Sequence, residues 1–206
     1  LLVTMLMAIL LGMGMPSVPA YLNVALLMGP MLVGLGIATF TAHMFIFYFA
    51  VASAITPPVA IAAFAASSLT KADPMSTAFS AVKSGIVMFI IPFIFAFYPE
   101  LLVIDAAKID PNSPTADYLP GYDGNIYFLS LLWLLARLSL FLYLISSCLA
   151  KFDKYELSTF EIIIRIILSG MVISSLEFYY SIGILLSIII IIWHHVIYKG
   201  KSQNFL

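Results

Sequence analysis

The segment Ala52-Ser-Ala-Ile-Thr-Pro-Pro-Val59 interrupts an apolar, uncharged run that extends from Met44 to Ala66. Proline lacks a backbone N–H, and its ring clashes with the preceding turn of a helix. Proline also disfavours the α conformation in the residue before it, so Thr56 and Pro57 are both affected. The double proline therefore predicts that a hydrophobic helix unwinds here.

An unwound helix exposes oxygen ligands. The carbonyl groups of residues 53–55 lose helical partners, and Ser53 and Thr56 add hydroxyl groups beside them. Hard cations are bound through oxygen. The segment therefore predicts a sodium site without a carboxylate, formed by Ser53, Ala54 and Thr56. A structural kink without a ligand is the alternative.

A second break, Gly12-Met-Gly-Met-Pro-Ser-Val-Pro-Ala-Tyr21, lies upstream and lacks the charges that an aqueous loop usually has. Within a bilayer, non-helical backbone persists only where protein buries it or where it lines a cavity. We therefore predict a re-entrant hairpin with its tip at residues 12–20. The carbonyl groups of Gly12 and Gly14 are candidate cation ligands, and a helix N-terminus near Ser17 is suited to an anion. An ordinary loop between two spans is the alternative.

Composition indicates that much of the surface faces lipid. Of 206 residues, 63% are hydrophobic and 9% are charged, whereas soluble domains have roughly 45–50% apolar and about 25% charged residues. The net charge of −1 gives no indication of a nucleic-acid partner, and the single cysteine, Cys148, cannot form an internal disulfide or a thiolate metal site. Because Leu1 begins an apolar segment and no basic residue precedes Lys71, we expect a sequence that starts inside a helix of a longer protein rather than a signal peptide.

Further membrane spans follow the two breaks, since a span needs about 20 mainly apolar residues. The predicted spans are residues 84–98, lengthened by the weakly polar stretch before them, 125–149, 158–175 and 178–198. Basic residues concentrate in 71–83, 150–157 and the tail, whereas 99–124 is acidic, so the positive-inside rule places the basic segments in the cytoplasm.

These patterns predict an all-α, polytopic membrane protein with a re-entrant hairpin and discontinuous helices. We expect three parts: a core at residues 1–102, an extracytoplasmic polar loop at 103–124, and a module of three transmembrane helices at 125–206 with a cytoplasmic C-terminus. Within the core, the hairpin tip is 12–20, the unwound helix 53–58 and the last span 84–98.

Two isolated ionisable residues fall in the apolar segments, where such groups are candidates for function. His43 opens the helix that leads to Thr56, and it is either a ligand or proton-binding group or a residue that hydrogen-bonds near the interface. Arg137 lies in the middle of a span, so we expect it to pair with a group outside its own helix, and a role in substrate binding is the alternative.

The remaining ionisable groups lie near the predicted cytoplasmic side. Glu161 and Arg165 are four residues apart, a spacing that predicts a pair on one helix face. His194 and His195 follow Trp193 near the end of the last span, and we expect both at the interface rather than in a metal site.

The core also resembles a known family. Several of its segments resemble the large membrane subunit of TRAP transporters. The resemblance is strongest to the fused permeases that work with TAXI-type binding proteins. The similar segments are Ala42-His-Met-Phe-Ile-Phe-Tyr-Phe49, Ile55-Thr-Pro-Pro-Val-Ala-Ile-Ala-Ala-Phe-Ala-Ala66, Ala72-Asp-Pro74, Pro92 and Tyr98-Pro-Glu-Leu-Leu102.

The resemblance implies the second half of an inverted-repeat, elevator-type transporter in the cell inner membrane. It implies ion-driven uptake of small organic anions such as carboxylates, with sodium, or alternatively a proton, as coupling ion and no other metal or cofactor. The implied partners are a periplasmic TAXI-type solute-binding protein, the upstream part of the same permease with small-subunit-like helices, and the lipid bilayer. The positions implied for the substrate are Pro16, Ser17, Val18, Thr56 and Pro57. Relatives often have an acidic residue near Ala54, so its absence speaks against a carboxylate there.

Two other functions fit the sequence less well. An intramembrane protease needs a His-Glu-x-x-His helix or a Gly-x-Ser-Gly site, and the chain has neither. A membrane scaffold or assembly subunit fits the C-terminal spans but does not explain the paired helix breaks.

Overall fold

Helices account for the regular structure of the computed structural model, which describes residues 1–104 and 127–203, with side chains as far as residue 196. Across these residues the sole β feature is an isolated bridge between Phe152 and Glu156. The prediction of an all-α protein is thereby confirmed. Most of the predicted polar loop, from residue 105 to 124, lies outside the described residues. The chain divides into two compact units, Leu1–Ile126 and Tyr127–Leu206.

Three helices pack together at the start of the first unit: α1 (Leu2–Gly12), α2 (Ser17–Gly34) and α3 (Thr39–Ala52). In α3, the side chains of Phe45, Ile46 and Phe49 are fully buried, because residues three and four positions apart share one helix face. The Phe45 ring packs edge-to-face on Phe49, with centroids 4.9 Å apart, and on Phe93, at 5.3 Å. This aromatic core anchors α3 upstream of the point where it unwinds.

Shorter elements complete the first unit: α4 (Ile61–Thr70), α5 (Pro74–Ser84), a 3-10 turn (Ile86–Phe89), α6 (Ile91–Phe97) and a second 3-10 turn (Pro99–Leu102). Asp73 caps α5, and its carboxylate accepts a 2.7 Å hydrogen bond from the Ser76 amide. That bond lowers the pKa of Asp73 from its ordinary value. Pro74 occupies the first turn, where a missing N–H costs nothing.

The predicted span at residues 84–98, with the stretch before it, is not one straight helix. α5 and the segment Ile86–Phe97 are bent by 64° relative to each other. The chain passes through a 3-10 turn before α6 starts, and Pro92 then lies in the first turn of α6, a position that tolerates proline. The weakly polar stretch before residue 84 therefore does not lengthen a straight span.

The second unit consists of three helices: α7 (Phe128–Ala150), α8 (Thr159–Ile173) and α9 (Glu177–Gln203). A capping box starts α8, in which the Ser158 side chain accepts from the Glu161 amide and the Glu161 side chain accepts from the Ser158 amide. α8 and α9 approach closely at Gly183, where an added Cβ would lie 2.8 Å from the Met171 Cβ.

Three described helices are long and apolar enough to cross a membrane: Ser17–Gly34, Phe128–Ala150 and Glu177–Val196. The bent pair adds a fourth if it forms one broken span. With 15 residues, α8 is about 22 Å long, less than the hydrocarbon thickness of about 30 Å. The segment predicted as a span at residues 158–175 is therefore a short helix, and whether it crosses the bilayer stays a prediction.

Large apolar side chains point outward in both units. Leu26 is 77% exposed and Leu129 is 80% exposed, and each lies on a candidate span. Contiguous exposed apolar surface is rare on soluble monomers. These surfaces fit a multi-pass protein whose helices contact lipid or further membrane helices.

Candidate functional site

The two helix breaks of the first unit contact each other. Gly12 ends α1, and Ser53 begins the 3-10 turn that follows α3. A Cβ added to Gly12 would lie 2.7 Å from the Ser53 Oγ, 3.1 Å from the Ser53 Cβ and 3.3 Å from the Ala50 carbonyl oxygen. Only glycine allows this approach, and both residues are buried. The packing therefore brings together the two interruptions that the sequence places 41 residues apart.

Helical structure is interrupted between Ala52 and Ile61. Residues Ser53–Ile55 form a 3-10 turn, Thr56 is extended with φ −96° and ψ 125°, and the Pro57–Pro58 peptide bond is cis. α4 begins at Ile61. Of the predicted ligands in this segment, Ser53 is buried and Ala54, Thr56 and Pro57 are half-buried.

The two hydroxyl groups of the unwound segment direct their protons toward helix carbonyls. Ser53 Oγ donates to the Ala50 carbonyl oxygen at 2.6 Å, and Thr56 Oγ1 donates to the Ala52 carbonyl oxygen at 2.8 Å. A hydroxyl group has one donor hydrogen and two acceptor lone pairs. Because the hydrogens are engaged, the lone pairs of both oxygens remain as ligands for a cation.

The hairpin tip is shorter than the predicted residues 12–20. α2 is already helical from Ser17, so the non-helical turn comprises Met13–Pro16. Gly14 has φ +76°, a left-handed conformation that favours glycine, and a Cβ added there would lie 3.5 Å from a Val59 methyl group. Pro19 lies in the first turn of α2, which tolerates proline.

The start of α2 presents unsatisfied backbone donors. Pro16 is its N-cap and provides no side-chain cap, and Pro16, Ser17 and Val18 are all exposed. The first N–H groups of a helix have no intrahelical partner, and the helix dipole adds positive potential there. Of these three predicted substrate positions, Ser17 and Val18 therefore offer amide donors, and none offers a charged side chain.

His43 lies in a different part of the bundle. Its Nδ1 is 2.8 Å from the Tyr21 hydroxyl oxygen, and its ring packs over Gly29, where an added Cβ would be 3.6 Å from the imidazole Cε1. His43 precedes Ser53 by ten residues along α3, which corresponds to about 15 Å. In this structure His43 links α2 to α3 and is separated from the unwound segment at residues 53–58.

Side-chain charge is scarce around the breaks, since residues 1–70 contain no Asp, Glu, Lys or Arg. Groups of His, Cys, Asp or Glu that could hold a metal ion are absent from the described part of the chain. Hydroxyl and carbonyl oxygens are accordingly the ligands that this region offers a cation.

Arg137 of the second unit binds the C-terminal end of α8. Its guanidinium donates to the Val172 carbonyl oxygen at 3.0 and 3.2 Å and to the Ser174 carbonyl oxygen at 2.6 Å. It also lies 4.0 Å from the centroid of the Tyr180 ring, a cation–π distance. The predicted partner outside its own helix is therefore found, and that partner is backbone.

The predicted Glu161–Arg165 pair is wrong. The Glu161 carboxylate instead contacts His194 Nδ1 at 2.9 Å and accepts from the Ser158 amide at 2.8 Å. Because the capping box turns Glu161 back toward the start of α8, its carboxylate is directed away from Arg165, one turn further on. Arg165 contacts Asp153 at 3.0 Å.

His194 was expected at the membrane interface; its side chain is fully buried against α8, where it contacts Glu161. Sequence reasoning missed Asp153 altogether. Burial raises the pKa of Asp153, but hydrogen bonds from Tyr143 and Arg165 outweigh that effect and lower the pKa below its ordinary value. The signal in the sequence was Asp153 itself, an aspartate in the short loop before the apolar helix that carries Arg165.

A family model matches residues 1–108 and is described as the DctM component of the tripartite ATP-independent periplasmic transporters. The match covers just over half of the 206 residues and includes both helix breaks. It is a family of transporters, which fits a role other than catalysis. No curated protein and no solved structure matches the chain.

Proposed function

The chain belongs to the DctM family of tripartite ATP-independent periplasmic (TRAP) transporters and is a multi-pass membrane permease component. We propose that it couples the uptake of small organic anions to a sodium gradient. Membership implies a periplasmic binding protein and a small membrane subunit as partners in general. The proposed partner is of the TAXI type, the proposed location is the cell inner membrane, and the proposed substrates are carboxylates.

The observation that carries this proposal is the contact between Gly12 and Ser53. Two interrupted helices that meet in an apolar bundle are typical of the binding site of a secondary transporter. Each interruption alone has a purely structural explanation. Their contact favours a shared site, because broken backbone in a membrane needs either a protein partner or a polar ligand.

Sodium is the proposed coupling ion because the region supplies neutral oxygen ligands. The lone pairs of Ser53 Oγ and Thr56 Oγ1 remain after both hydroxyl groups donate to carbonyls. Carbonyl groups of Gly12, Gly14 and Ala54 complete the proposed ligand set. A proton would need an ionisable acceptor, and His43 lies about 15 Å along α3 from Ser53.

The substrate anion is proposed to bind at the exposed start of α2. The amide groups of Ser17 and Val18 precede the helical hydrogen-bonding pattern, and the helix dipole favours a negative ligand at this end. Thr56 and Pro57 are proposed to line the opposite wall. The upstream part of the permease is proposed to supply a matching first-repeat half of the site.

The coupling ion is tested with radioactive sodium, using the full-length permease in detergent. Ser53→Ala and Thr56→Ala are each expected to weaken sodium binding about tenfold, equivalent to about 1.4 kcal/mol for one oxygen ligand. The matched controls are in α4, where Ser67 Oγ donates to the Phe64 carbonyl at position i−3 and Thr70 Oγ1 donates to the Ala66 carbonyl at position i−4.

Ser67→Ala and Thr70→Ala are expected to leave sodium binding unchanged, because they remove the same kind of hydroxyl away from the breaks. Equal losses in all four variants would contradict the proposed ligands. Uptake of labelled carboxylates into liposomes, with the binding protein present, then tests transport itself. Uptake that does not respond to an imposed sodium gradient would reject sodium coupling and favour a proton.

A further inference from the structure

The second unit contains ionisable side chains buried between its helices, and none of them belongs to the proposed transport site. We call them the acid–base cluster. It comprises Asp153, Glu161, Arg165 and His194, and the partly exposed His195 lies beside it, near Asp153. The groups come from the α7–α8 loop, from α8 and from α9, so the cluster joins all parts of the unit near one end.

Glu161 and His194 form the more deeply buried half of the cluster. Glu161 Oε1 is 2.9 Å from His194 Nδ1, and the two side chains are 3% and 0% exposed. Glu161 Oε2 accepts from the Ser158 amide at 2.8 Å. An ionised carboxylate accepts hydrogen bonds only, so His194 carries a hydrogen on Nδ1 when Glu161 is ionised.

Asp153 and Arg165 form the other half. Arg165 donates to Asp153 Oδ2 at 3.0 Å and to Ser147 Oγ at 2.8 Å. Tyr143 donates to Asp153 Oδ1 at 2.7 Å, and His195 Nε2 lies 3.6 Å from the same oxygen. The guanidinium is therefore committed to Asp153, which leaves His194 as the side chain facing the second carboxylate.

Among the described side chains of the cluster, two carboxylates face a single guanidinium, so the cluster is one positive charge short when His194 is neutral. An uncompensated charge in a buried site is costly. Imidazole is the side chain whose unperturbed titration falls between about pH 5 and 8. We propose that the acid–base cluster is a proton-binding site, in which one proton shared by Glu161 and His194 balances the charge and holds α9 against α8.

Other polar groups surround this pair and set its charge environment. On α7 they are Tyr143 and the thiol of Cys148, which points to the Ile162 carbonyl oxygen. Tyr155 lies beside His194, with ring centroids 6.2 Å apart. The exposed charges of the same loop are Lys151, Lys154 and Glu156. Since these exposed charges are screened by solvent and salt, the buried carboxylates and Arg165 dominate the local balance.

The direction of the pH effect follows from the charge balance. The packed arrangement of α8 and α9 binds a proton that the opened arrangement releases, so raising the pH favours opening. For one proton, linkage limits the change in the opening equilibrium to about tenfold per pH unit. The contact between α9 and α8 therefore weakens as the pH rises through the titration of the pair.

Hydrogen–deuterium exchange of the full-length permease in detergent tests this inference, between about pH 5.5 and about pH 8.5. After correction for the intrinsic pH dependence of exchange, amides of α8 and α9 next to the cluster are expected to open more at high pH, by up to about tenfold per pH unit. His194→Gln and Glu161→Gln are expected to remove this dependence. His195→Gln, which changes a partly exposed neighbour, is the matched control and is expected to retain it.

Unchanged pH dependence in His194→Gln, or none in the unsubstituted protein, would overturn the proposal. If the variants fail to fold, nitrogen NMR of histidine-labelled protein gives an independent answer. The ring nitrogen shifts of His194 are expected to differ between the two ends of this pH range, and shifts that stay constant across it reject the site. Neither measurement involves substrate or sodium, so the outcome is separate from the transport proposal.

Discussion

Replacing Gly12 by alanine tests the contact on which the transport site depends. The added methyl group would lie 2.7 Å from the Ser53 Oγ, and rotation of that hydroxyl would leave the Ser53 Cβ at 3.1 Å and the Ala50 carbonyl oxygen at 3.3 Å. Overpacking of this kind costs about 1–3 kcal/mol. Displacing the Ser53 hydroxyl from the Ala50 carbonyl adds about 1 kcal/mol.

The expected result is therefore a loss of about 2–4 kcal/mol, read as a lower thermal midpoint in detergent together with weaker sodium binding. Gly34→Ala is the control, because Gly34 is helical and exposed with no atom within 4 Å of an added Cβ. There the substitution is expected to be neutral or to stabilise by about 0.5–1 kcal/mol.

A double-mutant cycle localises the effect. Ser53→Gly removes both the Oγ and the Cβ that the new methyl group meets, so Gly12→Ala/Ser53→Gly is expected to be more stable than the two single losses predict. The coupling should exceed about 0.5 kcal/mol, the usual limit of additivity for independent sites. Additive losses, or a Gly12→Ala variant that behaves like Gly34→Ala, would refute the close contact.

Two predictions concern the second unit. Arg137→Met is expected to lower stability by about 3 kcal/mol, because it leaves the Val172 carbonyl without its charged donor. Amide exchange at the end of α8 is expected to be faster in this variant and to recover partly in Arg137→Lys. Unchanged exchange there would argue against a capping role for Arg137. Asp153→Asn is expected to cost about 3 kcal/mol at neutral pH because Arg165 stays buried without its carboxylate. The pKa of Asp153 is lowered from 3.8, so the Asp153–Arg165 ion pair of the unsubstituted protein contributes to stability at neutral pH and stops doing so only as the pH falls below that value. Equal thermal midpoints of the two proteins at neutral pH would contradict the pairing.

Local chemistry explains why the breaks were predictable. Pro57 and Pro58 forbid a helix through their own ring geometry, whatever surrounds them. The glycines and prolines after Gly12 likewise predicted the turn that the structure has at Met13–Pro16. Sequence reasoning placed the end of that turn at residue 20, whereas α2 starts at Ser17, because proline in a first helical turn is compatible with helix.

The buried cluster was less accessible to sequence reasoning because it depends on contacts between distant segments. The four-residue spacing of Glu161 and Arg165 is a rule for isolated helices. In the folded unit, each side chain finds a partner on another segment, and Glu161 is also drawn into the capping box. His194 lies near a cationic tail in sequence, but the packing of α9 on α8 buries it.

Arg137 links the length of α8 to a position on α7. Arg137 lies about 14 Å along α7 from the start of that helix. At this level it donates to the carbonyl groups at the end of α8, in place of the water that would do so outside a bilayer. Any insertion of one helical turn before Ser174 would move the final carbonyls beyond the reach of that guanidinium. Length changes in α8 are therefore expected to be tolerated only when the arginine shifts by a turn along α7, so that the two helices vary together as a matched pair.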